Sequence, residues 1–351
     1  MDTLFSHSNI RFDYDHGIYY PTVNGKQEIT VEATDETLLH WTINALNRHG
    51  YTLCAQIRRN TEGFEVKINV FDIGGTFVKY GVWESNALHA VSEFPTNGPE
   101  GAERLMNRVR KAAAALGPAD ALGICTRGQV NCTSGEIIYD PPHVIAGYTG
   151  TNLKEAFSCF GVPVAVENDV NCMAFAEAQA CPVPENGDLI CLTYGTCIGG
   201  AIVRGGQVYH GANWSAGEFG MMYTGGQYYE NVASVSALVT RMRKVDCALS
   251  NGRKIAAAME RPDVAPHIAA WADAVAEGLA SLIHIFDPAA VVIGGGFIED
   301  ARILALIRSH MQQRIAPGFH APLLPARHGN KAGLIGAALL AQQRFKAAPE
   351  A

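Results

Sequence analysis

Three clusters of glycine and polar residues stand at the ends of apolar runs. Asp72-Ile73-Gly74-Gly75-Thr76 closes one run, and Tyr194-Gly195-Thr196-Cys197-Ile198-Gly199-Gly200 closes another. Glycine-rich turns between strands let backbone N–H groups approach phosphate oxygens with no Cβ in the way, and Thr76 and Thr196 each add a hydroxyl. Asp72, at the end of a buried strand, is placed to position a hydrated Mg²⁺ rather than to ligate it directly. One such turn alone reads as an ordinary hairpin. Neither segment fits GxxxxGK[ST], and neither is a strand-to-helix GxGxxG, so P-loop and Rossmann sites are disfavoured. The third cluster, Glu167-Asn168-Asp169-Val170-Asn171, follows the apolar run Val162 to Val166. Carboxylates and amides in a row suit a polyhydroxylated ligand, which needs both donors and acceptors. Asn168 or Asp169 also suits a helix N-cap, but a cap needs only one of these residues. Glu218 stands alone among small residues in Gly211 to Gly220, and Gly294-Gly295-Gly296 follows the apolar run Ala290 to Ile293, so that a flat ring has bare backbone to lie against.

The elements that must hold these residues alternate between strand and helix. Phe64 to Phe71 and Val78 to Trp83 flank the first turn as a hairpin; Gly101 to Leu116 reads as a helix, Ala121 to Cys125 and Val162 to Val166 as strands. The theme returns with Leu189 to Leu192 and Ala201 to Val203 around the second turn, a weak internal symmetry about half a chain apart. A helix-rich stretch from Ser234 to His284, the strand Ala290 to Ile293, and helices near Ala301 to Arg314 and Ala332 to Phe345 complete the chain. This pattern predicts an α/β class with a mixed or parallel sheet in each half. Residues 1–63 read as a small α+β appendage of unassigned role: a hairpin of Ile18 to Tyr20 with Ile29 to Val31 around Asn24-Gly25, a helix from Glu36 to Arg48, and a strand from Tyr51 to Arg58.

The chain has 351 residues, of which 48% are hydrophobic and 17% charged, enough for two packed domains and an appendage. A net charge of -7 argues against a broad nucleic-acid surface. No run approaches the ~20 apolar residues of a membrane span, and Met1 to Asp13 lacks a signal-like layout. A cytoplasmic protein with no membrane and no nucleic-acid partner is expected. The nine cysteines form no CxxC or CxC pair, so neither a disulfide framework nor a cysteine zinc cluster is expected; most read as small buried hydrophobes.

Taken in order, Asp72 to Thr76, Glu167 to Asn171, Gly195-Thr196 with Ile198-Gly199-Gly200, Ala216-Gly217-Glu218, and Asp287-Pro288 leading to Gly294 to Gly296 resemble the ROK family of sugar kinases, repressors and relatives. The resemblance spans residues 66 to 345 and implies a two-domain actin/hexokinase-like (ribonuclease H-like) fold. Its small domain would be 64–175 with the C-terminal helix 332–345, and its large domain 176–331. It implies ATP with Mg²⁺ held by Asp72, Gly74, Gly75, Thr76, Lys79, Gly195, Thr196 and Gly199, with Gly294, Gly295 and Gly296 near the adenosine. Glu167, Asn168, Asn171 and Glu218 would bind sugar, Asp169 would be the general base, and a homodimer is implied.

Departures narrow the expectation. Many members carry a histidine and a CxCGxxGCxE zinc cluster after the Glu218-like segment; here Phe219-Gly220-Met221-Met222-Tyr223 follows and no cysteine appears before Cys247, so no structural zinc is expected. Phe77 replaces a common lysine, and Cys197 a common glycine. The zinc-lacking members resembled are β-glucoside kinases, implying transfer to the 6-hydroxyl of a glucose-type sugar or β-glucoside. The alternatives are a sugar-responsive ROK-type regulator and a sugar-binding protein without catalysis. Residues 1–63 offer one convincing helix rather than the three of a winged helix-turn-helix, and read as a partner- or oligomer-forming module. His143, Tyr148 and Asn152, in the loop from Asp140 to Asn152, are either ligand contacts or plain loop residues.

Overall fold

The computed structural model describes residues 10–13, 18–21, 66–181 and 187–347. Two compact units are present: residues 1–66 with 343–351, and residues 67–342. In the first, β1 (Ile10–Asp13) pairs antiparallel with β2 (Ile18–Pro21), Ile10 facing Pro21. Ile18 to Tyr20 is therefore a strand as expected, but its described partner precedes it in the chain. The expected partner Ile29 to Val31, the helix from Glu36 and the strand from Tyr51 lie outside the described residues.

The second unit holds two five-stranded sheets of one topology. In the first sheet the order is β5 (Ala87–Pro95), β4 (Phe77–Glu84), β3 (Ile68–Ile73), β6 (Ala121–Thr126), β9 (Val164–Asn168). In the other it is β12 (Gln207–Val208), β11 (Ile198–Arg204), β10 (Leu189–Tyr194), β15 (Ala290–Gly294), β16 (Leu323–Pro325). Each sheet begins as an antiparallel meander and continues with two parallel strands. The half-chain symmetry thus extends from the paired turns to whole sheets. Sequence reading lacked β5 and the small hairpin β7 (Gln129–Asn131) with β8 (Glu136–Tyr139), because their short or exposed strands carry little apolar alternation.

Burial explains the central strands. All six side chains of β6 are buried, as suits a parallel strand covered on both faces. On one face of the first sheet, α1 (Ala102–Leu116) supplies Leu105, Met106 and Val109 to a core with Phe71, Ile73 and Val166. The short α2 (Leu153–Ala156) adds Leu153 to the same core. Next comes α3 (Asp169–Ala180), which serves both sheets: Cys172 and Phe175 pack with Cys125, and Met173 and Ala174 with Leu189 and Cys191. A domain boundary expected at 175/176 therefore falls inside a helix that both sheets share.

The second sheet is covered by α4 (Glu230–Ala233), α5 (Val235–Val245), α6 (Gly252–Ala257), α7 (Ala265–Phe286) and α8 (Ala301–Gln312). The helix α7 is long and apolar enough to cross a membrane by length and composition, with a mean hydropathy of 1.3, which revises the expectation that no such run exists. Trp271, Val275, Leu279 and Ile283 on α7 are buried against the sheet, so packing accounts for its apolar face. Gly278 is required there because a Cβ would lie 2.3 Å from the Tyr229 ring. The last helix, α9 (Ala332–Ala347), places Ala337 and Leu340 against Cys125 and Cys172, and its backbone at Ala337 approaches Gly123 closely. Of the cysteines, Cys125, Cys132, Cys172 and Cys191 are buried as expected, whereas Cys159, Cys197 and Cys247 are exposed.

Candidate active site

The two glycine turns lie at the same place in their sheets, each joining the central strand to its antiparallel neighbour. In the first, Gly74 N–H donates to the Phe77 carbonyl at 3.0 Å, and buried Thr96 donates from Oγ1 to the Gly74 carbonyl at 2.7 Å while its N–H reaches the Thr76 carbonyl at 2.8 Å. These bonds fix the turn but leave the N–H groups of Gly75 and Thr76 without a partner among the described residues. The second turn is built alike: Gly195 N–H donates to the Cys197 carbonyl at 3.0 Å, and Thr196 and Cys197 are exposed. Open N–H groups on a rigid turn are what an anionic ligand such as a phosphate chain requires.

Asp72, which ends β3, is partly buried, and burial pushes its carboxyl above the ordinary range while Lys79 beside it works the other way. The Lys79 Nζ stands 3.8 Å from Asp72 Oδ2, since the two residues face each other across the β3–β4 ladder. It also donates to the Asn330 carbonyl at 3.4 Å. Lys79 is thus tied to Asp72 rather than held out towards a ligand.

At the end of β9 the chain turns directly into α3, and Asn168 is the N-cap. Its Oδ1 accepts from Val170 N–H at 2.8 Å and Asn171 N–H at 3.2 Å, while Nδ2 donates to the Gly128 carbonyl at 2.9 Å. One amide hydrogen is left for a ligand. Asp169 is the first helical residue, its carboxylate accepting, among the described residues, from Val170 N–H alone at 2.9 Å. Burial, reinforced by the Asp72 charge, pushes the Asp169 carboxyl up to about 6. A carboxylate so placed is ionised at neutral pH yet basic enough to take a proton.

Glu167 and Asn171 do not fit the role of substrate contacts expected from the sequence. Glu167 is 2% exposed and all its bonds are internal: Oε1 accepts from Asn168 N–H at 2.9 Å and Asn171 Nδ2 at 3.0 Å, and Oε2 from His210 Nε2 at 2.8 Å. Burial opposes the Glu167 charge, but His210, Asn171 and Asn168 outweigh it and hold the carboxyl below its ordinary range. For His210, burial works downwards, but the Cys132 thiol and the Glu167 carboxylate push the imidazole up to about 10. The Cys132 Sγ lies 3.5 Å from the same Nε2. Cys132, Glu167 and His210 are the group among the described residues whose ligand-type atoms lie close enough together to hold a metal ion. A metal ion there would have to displace the proton that Cys132 and Glu167 hold on His210. The three join β9 and the loop after β7 in one half to the loop after β12 in the other.

That loop leads to Glu218, since Ala216 N–H donates to the His210 carbonyl at 3.1 Å. Glu218 is exposed, and its side chain has no hydrogen-bond partner among the described residues. The residue as a whole is exposed, but partial desolvation of the carboxylate, reinforced by the charge of Glu230, raises it above its ordinary range. Glu230 was not flagged by the sequence, where Tyr228-Tyr229-Glu230-Asn231 has no telling spacing; it also lies near the second turn, with Oε2 3.5 Å from Ile198 N. Two carboxylates and a phosphate-type turn therefore converge there.

Gly294, Gly295 and Gly296 line a cavity with Met173, Thr193 and Glu299, and no atom stands in front of Gly296 within 4 Å. Buried Glu177 of α3 accepts from the N–H groups of Arg327 and His328 at 2.9 Å, next in sequence to the lining residue Ala326. Gly199 does not belong to the turn: it lies within β11 opposite Thr193, and a Cβ there would meet Val170 at 2.4 Å. Its small size serves packing of α3 on the sheet. Of the loop residues, Tyr148 is buried and bonds Thr126 Oγ1 at 2.6 Å, and Asn152 caps α2 through Glu155 N–H, whereas His143 is exposed.

The family model for the ROK family matches residues 69–344. A β-glucoside kinase of Klebsiella pneumoniae is 31% identical over 80% of this chain and 98% of its own. A glucokinase of Streptomyces coelicolor is 31% identical over 78% and 96%. Among solved structures, the ROK hexokinase from Thermus thermophilus aligns with a TM-score of 0.69 at 28% identity, covering 80% of this chain and all of that one. The ROK family glucokinase from Streptomyces griseus, solved with glucose and AMPPNP, gives 0.67 at 28% identity over 80% of this chain. The fold is accordingly actin/hexokinase-like. With its two matched sheets, its glycine turns and the family model spanning nearly the whole second unit, the chain belongs to the ROK family.

Proposed function

We propose the following chemistry for a chain that is, by family and fold, a carbohydrate kinase: transfer of the γ-phosphoryl group of ATP to a sugar hydroxyl, with Asp169 as general base. The observation that carries this reading is the setting of Asp169. It begins α3, near Asp72, with a carboxyl pushed up to about 6. A base within reach of the hydroxyl contributes roughly 10²–10⁴-fold to such a reaction. Asn168 and Glu218 would hold sugar hydroxyls, with Glu230 beside Glu218. Gly75, Thr76, Gly195 and Thr196 would cradle the phosphates and Gly294 to Gly296 the adenosine. Asp72 would hold Mg²⁺ through water, and that ion would neutralise charge on the phosphates. The β-glucoside kinase relatives and the Gly217-Glu218-Phe219-Gly220-Met221 segment favour the 6-hydroxyl of a glucose-type sugar or β-glucoside. The two halves would close on the sugar as two domains, α3 being the element they share. The reading includes no zinc and a cytoplasmic homodimer.

The test is ADP release across glucose, N-acetylmannosamine, fructose and β-glucosides, for the native chain and Asp169→Asn. We expect turnover with a glucose-type acceptor, lost in Asp169→Asn with sugar affinity within a few fold. Unchanged turnover in the variant would remove Asp169 from the chemistry. Sugar binding with no ADP release would favour a binding protein, and sugar-sensitive operator binding in a gel shift would favour a regulator.

A further inference from the structure

Arg127 belongs to no motif the sequence offered, yet it stands beside the first turn, and its charge reaches the second. Its backbone N–H donates to the Ile73 carbonyl at 3.2 Å, which fixes the residue next to Gly74. The side chain is held by one strong bond, Nε to Asp140 Oδ1 at 2.6 Å. Asp140 is 1% exposed, and its own N–H and carbonyl both bond Thr149 Oγ1, so the anchor is itself fixed. Arg127 Nη1 lies over the first turn: a Cβ built on Gly75 would come within 2.5 Å of it. Burial raises both the Asp169 carboxyl at the start of α3 and the Cys197 thiol in the second turn, and the Arg127 charge opposes each rise.

A guanidinium has five N–H donors. Among the described residues, the side-chain bond of Arg127 uses Nε alone, and the other four hydrogens, on Nη1 and Nη2, have no partner. Residue 77, directly after the first turn, is the exposed Phe77, and Lys79 is engaged by Asp72 and the Asn330 carbonyl. An arginine pinned through Nε, with Nη1 over a phosphate-type turn and Nη2 without a partner among the described residues, is a fork suited to two oxygens of one phosphoryl group.

We infer that Arg127, oriented by Asp140, is a catalytic residue that grips the γ-phosphoryl group of the nucleotide and follows its charge into the transition state. This rests on the kinase reading above. In the step, the sugar oxygen bonds the γ-phosphorus as the bond from phosphorus to the bridging oxygen breaks. ADP leaves with that electron pair, and the hydroxyl proton passes to Asp169. Arg127 makes and breaks no bond. Its Nη groups hold the equatorial oxygens on which charge is spread.

The discriminating measurement is calorimetric binding of ADP and of the β,γ-imido analogue of ATP, each with Mg²⁺, alongside glucose binding and steady-state rates. The variants are Arg127→Gln, Arg127→Lys and Asp140→Asn. Arg127→Gln should weaken the triphosphate analogue by about tenfold to a hundredfold, with ADP and glucose changed by only about threefold or less. Arg127→Lys should recover part of the affinity, and Asp140→Asn should lose less than Arg127→Gln. Added guanidinium ion should restore part of kcat to Arg127→Ala. Equal loss of ADP, analogue, glucose and melting temperature would mark a structural residue and overturn the inference. So would an unchanged preference for the analogue with unchanged kcat, or a loss confined to glucose. An Arg127-dependent preference for the analogue in a protein that phosphorylates none of the sugars would sustain this inference while defeating the sugar-kinase reading. Absence of nucleotide binding by the native chain would overturn both.

Discussion

Replacing His210 with alanine is expected to unpin the two halves of the kinase unit. In the native protein the imidazolium faces Glu167 at 2.8 Å and Cys132 at 3.5 Å, with the Trp214 ring at 5.2 Å between centroids. His210→Ala leaves Glu167, 2% exposed, as a buried carboxylate that has lost its countercharge. Removing one partner of a buried pair costs about 3–5 kcal/mol. Because His210 keeps a side-chain exposure of 23%, the lower end applies, about 3 kcal/mol. For a unit of this size, residues 67–342, that lowers Tm by about 5 °C. The pH dependence has a definite sign. His210 is raised from 6.5 to about 10, so its contribution is fully present below 6.5 and is lost as pH rises through about 10. Glu167 is lowered from 4.5, so its contribution is present above 4.5 and is lost as pH falls through its depressed value. The Tm gap between native protein and His210→Ala should therefore be greatest near pH 5–6.5 and shrink to a small fraction by about pH 9.5. Melts monitored by near-UV circular dichroism at pH 6, 8 and 9.5 would measure it, with His210→Ala repeated in a Glu167→Gln background. A gap that does not shrink with pH, or that is the same whether or not Glu167 is charged, would refute the pairing.

The remaining expectations concern the site. The kcat/KM of the native enzyme should fall tenfold per pH unit below about 6, as Asp169 takes up its proton, and level off above; a flat profile down to pH 5 in folded protein would dismiss the assignment. The raised carboxyl also means that ionised Asp169 costs stability above pH 3.8, so Asp169→Asn should melt no lower than native protein at pH 8, which separates lost chemistry from lost fold. Elemental analysis should find no zinc after purification without chelator; one equivalent that disappears in Cys132→Ser would show a metal bound at Cys132, Glu167 and His210. Gly199→Ala should lower Tm by several degrees through contact with Val170 and leave nucleotide affinity nearly intact, as measured by calorimetry; selective loss of nucleotide would return Gly199 to the phosphate site.

The sequence made visible what backbone and local pattern decide. Glycine turns at the ends of apolar strands announced themselves twice, and both sheets share one strand order because the same strand-turn-strand unit begins each. Asn168-Asp169 at the strand-to-helix junction was readable either as a cap or as a site, and the structure uses Asn168 as the cap and leaves Asp169 with one hydrogen bond, from Val170 N–H, among the described residues. What stayed hidden depends on contacts between segments far apart in the chain. Glu167 looked like a sugar ligand because it adjoins Asn168, but strand alternation turns it to the opposite side of β9 from Asn168, where His210 meets it from 43 residues away. Gly199 looked like part of a turn because glycine there was assigned to phosphate, whereas its role is set by Val170 on another element.

Arg127 carries the same lesson to the chemistry. An arginine after a strand is unremarkable in a sequence, because nothing local says where five donors will point. Asp140, 13 residues on and across the β7–β8 hairpin, settles that direction, and Gly75 supplies the vacancy that Nη1 fills. The first turn is then more than a row of open N–H groups: it is a turn whose glycine makes room for a cation. A glycine that leaves its N–H open to phosphate and also admits a guanidinium serves a ligand that carries several charged oxygens. On the proposal that Arg127 grips the γ-phosphoryl group, glycine at position 75 serves the nucleotide and not the hairpin alone.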